Sequence, residues 1–519
     1  MVDYDYRRAP HQQPILTDEQ KQLVDEDLDL IKSKGIYPYE YMDSFDRFEE
    51  REIPPIEAFV SSLKAGEGIT KKEHEHAKKV FDHFQMETLQ DYHNLYLLQD
   101  IFLLDDILTA FRNVCLKTYG LDPFHYHTAP GLTWDAGLKY TNITLDLITD
   151  EEQFLFVEAG IRGGISMISH RYARANHPDL ADIGYYDPKR PTCQLFYIDA
   201  NNLYGYSMIQ YLPVSCFMWL TQDAINAFTL EWLHSIKPDN DLGYIFEIDY
   251  TIPEEKHDKF ANYPLAPAQK PIHGYMLSPY QKDIIRQQFR AMDTDNQLTE
   301  EALEKKIDEY TSSTEKLILD LQPKNKYIVH YRTLQLYVKL GMEIKHIHRI
   351  LRFKQQAWLA PYILKNTEMR KQATNDFEKS FFKLMNNAFF GKTMENIRKR
   401  RHIDIVTTPE KLKKLVAQPT YKSTTSFREN LSAVERIKAK VTMNKPISIG
   451  LCVLELSKWL MYDFYYNVLH EIFPPNSIRL LFTDTDSLCI SIEGCNSDIY
   501  QRIRNATVIQ DNSRHVSSA

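Results

Sequence analysis

The chain has 519 residues with a formal charge of -9, 43% of them hydrophobic, which is too long for one ordinary core and predicts three or four domains. The charge excludes a chain that is basic all over, while leaving room for a local phosphate-binding surface. Six scattered cysteines without CxxC spacing argue against zinc fingers and a disulfide framework. The first residues lack the apolar stretch of a signal peptide and no run of 18 apolar residues occurs, so a soluble protein without a membrane partner is expected.

In chain order, residues 1–20 are polar, without period, and are expected to be disordered. From Glu73 to Tyr119 the pattern is helical, Gly120 stopping the run. Residues 120–134 are turn-rich and read as a hinge. LFYID at 195–199 is a short apolar strand ending on an acid. The segment 217–330 mixes strands such as YIFEIDY with a charged, helix-prone stretch near 296–320 and reads as an inserted subdomain. One long amphipathic helix is predicted over roughly Thr367 to Phe390, with Phe377, Phe381, Leu384 or Met385, and Ala388 as its buried stripe. RLLFTDTDSLCISI at 479–492 reads as two apolar strands around an acidic turn.

Three features carry chemistry. In FTDTDSL, Asp484 and Asp486 are one residue apart and are expected on the same side of an extended chain. Like charges so close call for a cation or a basic residue, although a solvated hairpin tip also accounts for them. Asp199 closes its strand, where it can converge on metal or cap a following helix. On the 367–390 helix, Lys371, Asn375, Lys379 and Lys383 recur every four residues, as a triphosphate-binding ridge or an ordinary solvated face. Two strand-linked acidic sites bracketing a basic helix are the inventory for two-metal phosphoryl transfer.

These segments resemble family B DNA polymerases, and more closely the protein-primed branch found in bacteriophages, adenoviruses, linear plasmids and Maverick or Polinton transposons. YIDANNLYG is similar to motif A, KLMNNAFFG to motif B and FTDTDSL to motif C. The resemblance implies that Asp199, Asp484 and Asp486 are catalytic ligands of two Mg²⁺ ions, with Mn²⁺ as a substitute. It implies that Tyr204 lies beneath the sugar of the incoming nucleotide, that Lys383 touches the triphosphate, and that Asn387, Phe390 and Gly391 line the nascent base pair. Lys379 and Lys371 fall where supporting lysines are expected. Gly205 stands where many members have proline, and Ala388 and Phe390 replace the common Ser and Tyr. IRGG is similar to the element that helps bind template, through Arg162, Gly163 and Gly164; a tight turn is the other reading. Arg398, Lys399, Arg400 and Arg401 read as a phosphate-backbone contact or a solvated turn.

The implied fold is α+β: a right-hand polymerase palm and fingers preceded by a partial α/β ribonuclease H-like exonuclease domain, with the thumb missing. Tyr96 and Asp100 are the one candidate for an exonuclease motif, with a core tyrosine beside a surface aspartate as the alternative; proofreading is not expected. The expected domains are a disordered 1–20; the exonuclease-like part 21–125; linker and first palm segment 126–215; insertion and palm 216–330; palm to fingers 331–402; a second insertion-like region and palm 403–478; the acidic hairpin 479–494; and a polar tail 495–519. The implied partners are a DNA primer-template, deoxynucleoside triphosphates and a terminal priming protein. A non-catalytic DNA-binding relic is the competing reading.

Overall fold

The computed structural model describes residues 18–64, 66–293, 298–494, 499 and 501–506. The chain divides into two compact units between His127 and Thr128. Among the described residues no helix is long and apolar enough to cross a membrane.

The first unit is built from the helices Asp18–Ile31, Lys71–His83 and Leu89–Tyr119, joined by short 3-10 turns. The predicted helical stretch is therefore two helices, because Gln85 takes a left-handed φ of 51° and Thr88 with Asp91 forms a capping box that starts the second. Leu30, Phe59, Val80, Phe81, Leu89 and Tyr92 make its core. The expected α/β character of 21–125 is corrected: the described residues hold a single isolated bridge, Ser61 to Glu67, and no strand. The linking segment carries Pro38, Pro54, Pro55, Gly66 and Gly68 and no alternating apolar run, so it turns instead of pairing. Of the expected disordered 1–20, residues 1–17 lie outside the described residues, and Asp18 already begins a helix.

The second unit is mixed α+β. Its strands are β1 (Ser166–Ile168), β2 (Cys193–Asp199), β3 (Leu212–Trp219), β4 (Leu242–Thr251), β5 (Ala268–His273), β6 (Thr311–Ile318), β7 (Lys324–His330), β8 (Glu343–Gln356), β9 (His402–Val406), β10 (Tyr421–Arg428), β11 (Leu431–Arg436), β12 (Ile478–Asp484) and β13 (Ser487–Glu493). They form antiparallel sheets in the orders β1-β12-β13-β2, β3-β8-β4-β7, β10-β11-β9 and β5-β6. The first two share one large core, in which Phe246, Ile248, Leu480, Leu488 and Ile490 meet Tyr462, Tyr465 and Leu469.

Because β3, β4 and β7 belong to the central sheet, only 268–318 of the expected 217–330 insertion stands apart. It has its own small core of Ile285, Leu303 and Ile307, and among the described residues of the stretch expected to be helical near 296–320 the helix runs over Glu300–Asp308 before β6 begins. A second satellite, β9 to β11 with the helix Pro409–Val416, packs around Val406, Leu415 and Val434. At the far end, 495–498, 500 and 507–519 of the expected polar tail lie outside the described residues, while Ile499 and Ile503 are buried in the main core.

Candidate active site

The site begins with sheet register. Ser166 pairs with Asp484, Asp484 with Ser487, and Ser487 with Asp199, so one row across four strands carries both acids. Two ladder spacings put the Asp199 and Asp484 backbones roughly 10 Å apart. Residues two steps along the strands lie on the same face, and there Ile168, Phe482 and Tyr197 are all exposed, the last two with ring centroids 5.9 Å apart. The row between these, Thr483 with Leu488 and Ile198, faces the core. A bulge between Leu480 and Phe482 sets this phase.

Asp486 is not a second position on an extended strand, as the spacing suggested. Strand β12 ends at Asp484, and Thr485 and Asp486 form the turn. The Ala200 N–H donates to the Asp486 carbonyl at 2.7 Å, tying the turn to the residue after Asp199. Thr485 has φ 57°, a left-handed conformation that costs a β-branched residue of order 1–3 kcal/mol. Its N–H donates to the Ile165 carbonyl at 2.6 Å.

Charge follows geometry. Partial burial raises the Asp486 carboxyl above its ordinary range, the Asp199 and Asp484 carboxylates raise it further, and Lys383 opposes them. Lys383 is exposed on the helix Asp376–Thr393. Burial, then the nearby Asp486, also raises the Tyr204 phenol. Tyr204 sits on the short helix Leu203–Met208 that follows β2, and its ring stacks on Phe390. The elements carrying Asp199, Tyr204, Lys383 and the acidic turn therefore converge at one end of one sheet.

The basic helix differs from expectation. It is two helices, Ala360–Gln372 and Asp376–Thr393, broken where Asn375 takes extended dihedrals and its side chain accepts the Glu378 N–H at 2.8 Å. Lys371 thus ends the first helix and Asn375 caps the second, so neither continues the stripe of Lys379 and Lys383. The buried face is also rotated: Phe381, Phe382, Met385, Asn386 and Phe389 are buried, whereas Phe377 and Leu384 are exposed. Of the adjacent asparagines, Asn386 is internal and accepts from the Asn366 carboxamide at 2.9 Å. Asn387 is exposed on the face of Lys379, Lys383, Phe390 and Gly391, as spacings of four, four and three require. Lys379 makes a solvent-exposed ion pair with Asp376.

Asp199 does not cap a helix; Asn202, at φ 58°, precedes the first turn. A Cβ at Gly205 would fall inside the Asn202 carboxamide, which would have to shift to admit one. Arg162 is only 7% exposed; its guanidinium donates to the Ile328 carbonyl at 2.7 Å and lies 3.8 Å from the Tyr327 ring centre. Gly163 faces open space, and Gly164 abuts Thr485. Tyr96 is buried against Tyr37 and Tyr39 and donates to Asp100 at 3.1 Å. Of the run at 398–401, Arg398, Arg400 and Arg401 pair with Glu158, Glu395 and Glu435.

Sequence reasoning missed two residues. Glu455 and Lys458, 2% and 3% exposed on the helix Ile447–Asp463, lie 4.0 Å apart. Burial pulls the Lys458 ammonium down to about 8, with Glu455 opposing and Arg162 adding to the effect. The signal was one acid and one base three apart inside an otherwise apolar helix.

No protein-family model and no curated protein matches the chain. It is similar to solved structures of Phi29 DNA polymerase: the ternary complex with primer-template DNA and incoming nucleotide substrates, at 12% identity, TM-score 0.40, covering 91% of this chain and 61% of that one. The post-translocation binary complex with primer-template DNA gives 13%, 0.41, 93% and 60%. This chain thus spans about three-fifths of the Phi29 enzyme's length.

The donor set suits a hard divalent cation: three carboxylates, of which Asp486 is raised in pKa first by partial burial and then by the other two. Among the described residues, no three His, Cys, Asp or Glu side chains close around a cation position.

Proposed function

We propose that the chain is a template-directed DNA polymerase of the protein-primed family B kind. The observation that carries this reading is the row Ser166, Asp484, Ser487, Asp199, with Asp486 hung beside it and the charge of Lys383, on another element, favouring the ionised Asp486. The ordered resemblance to motifs A, B and C supports the same chemistry.

In this reading a primer 3′-hydroxyl, or the hydroxyl of a priming protein, forms a bond to the α-phosphorus of a deoxynucleoside triphosphate while the bond to pyrophosphate breaks. Asp199, Asp484 and Asp486 would hold two Mg²⁺ or Mn²⁺ ions, which when bound would help activate the attacking oxygen and neutralise the leaving phosphates. Lys383 donates to those phosphates from a rigid helix. Tyr204, backed by Phe390, forms the floor under the sugar, and Asn387 and Gly391 border the base pair.

The test is extension of a labelled primer-template with Mg²⁺ and the four deoxynucleoside triphosphates, beside Asp486→Asn. Template-dependent products lost in the variant are expected. A folded wild-type chain that binds the primer-template but extends nothing, and binds it equally as the variant, would make it a DNA-binding relic.

A further inference from the structure

The segment Gly160–Ser166 is held at several points, although Gly163 between them faces open space. A Cβ on Gly160 would fall 2.6 Å from both Ile328 Cγ2 and Leu451 Cδ1. The Arg162 guanidinium bonds to the Ile328 and Gly160 carbonyls, and the Arg162 carbonyl accepts from the Lys458 ammonium at 2.7 Å. A Cβ on Gly164 would fall 2.7 Å from Thr485 Cγ2 and nearer still to its hydroxyl. The Ile165 carbonyl takes the Thr485 N–H, and Ser166 pairs with Asp484. A chain of direct contacts thus runs from the buried Glu455–Lys458 pair to the strained residue between the two hairpin acids.

We propose that Gly160–Ile165 is a clamp that holds the acidic hairpin in its bent form, and that Lys458 is a positioning residue acting through the Arg162 carbonyl. The physical need is plain. Thr485 prefers other backbone conformations, and the three carboxylates repel. Left to itself the turn would relax away from Asp199. The clamp opposes both tendencies with a hydrogen bond on one side of Thr485 and a residue without a side chain on the other. Lys458 has no free donor role at the surface; its contacts are the Arg162 and Leu454 carbonyls and Glu455. The proposal rests on reading Asp199, Asp484 and Asp486 as the cation-holding acids.

Two pairs of variants test it. Gly164→Ala pushes on Thr485, and Gly164→Ala with Thr485→Gly returns the space. Lys458→Met with Glu455→Gln removes both buried charges together, so that neither is left unpaired and the protein stays folded. Each is measured for thermal unfolding, for Mn²⁺ affinity from the electron paramagnetic resonance of the free ion, and for hydrogen exchange in the 478–493 hairpin. Gly164→Ala is expected to weaken Mn²⁺ binding at least tenfold at nearly unchanged unfolding temperature, with the paired variant recovering most of it. The Lys458 and Glu455 double variant is expected to weaken Mn²⁺ binding similarly and to speed exchange in the hairpin. Wild-type affinity and wild-type exchange in both folded variants would overturn the clamp. If the wild-type protein binds no Mn²⁺, the polymerase reading fails, and hairpin exchange alone then decides the clamp: unchanged exchange overturns it.

Discussion

The ring of Tyr204 lies against the ring of Phe390, with centroids 4.7 Å apart and planes 16° from parallel. One comes from the helix after β2 and the other from Asp376–Thr393, so a substitution at either loosens the same surface. Tyr204→Val is expected to raise ribonucleotide incorporation relative to deoxyribonucleotide by tenfold or more, about 1.4 kcal/mol of discrimination. Phe390→Ala should move it the same way by less. Competition between the two sugars in single-nucleotide extension measures this.

Asp486 carries a raised carboxyl, so its charge works against the fold wherever it is ionised. For such a group the stabilising share is present below the ordinary pKa and lost as pH rises through the folded value. At neutral pH without added cation, Asp486→Asn should therefore unfold at a higher temperature than wild type. Mg²⁺ should stabilise wild type and not the variant, while extension is abolished. Calorimetry with and without Mg²⁺ distinguishes this from simple damage.

Lys383 and Lys379 share a helix face but differ in neighbours: the first acts on Asp486, and the second pairs with Asp376 in solvent. Lys383→Ala should raise the KM for the nucleotide roughly tenfold, the scale of a charge-assisted contact, with little change in unfolding temperature. Lys379→Ala should stay within about twofold, as exposed pairs contribute little.

His330 is fully buried beside Tyr331, and both ring nitrogens lack a hydrogen-bond partner. Burial, with Arg332 adding to it, lowers its pKa to about 3. The unfolded chain takes up the proton near pH 6.5 and the folded chain does not, so stability is full above that pH and is lost as pH falls toward 3. The loss approaches about 1.4 kcal/mol per pH unit. Denaturant unfolding across this window should show that slope in wild type and a shallower one in His330→Leu.

The strands bearing Asp199 and the acidic turn were legible because apolar residues bracket each acid, and local pattern decides such elements. The helix through 367–390 was misdrawn because Asn375 fits a helical stripe and an N-cap equally well, and only its extended dihedrals tell them apart. The burial of Arg162 was illegible for a different reason: a guanidinium beside two glycines looks exposed until β7 supplies the Ile328 carbonyl and the Tyr327 ring from far along the chain. Glu455 and Lys458 stayed unnoticed because their partners are likewise tertiary. The helical stretch of the first unit from Glu73 onward was legible, but the unit as a whole was read as part of an α/β domain because its residues resembled one.

The bulge at Leu481 makes β12 tolerant at one point and intolerant just beyond it. Leu480 and Leu481 both turn inward, and Phe482, Thr483 and Asp484 then alternate regularly against Cys489, Leu488 and Ser487. Deleting Leu481 would remove the bulge and leave Asp484 opposite Ser487 on the outer row, whereas deleting Thr483, inside the regular ladder, would bring Asp484 opposite Leu488 and turn it inward. Where this strand loses a residue therefore decides whether the site survives, and the bulge is the one place that absorbs the loss.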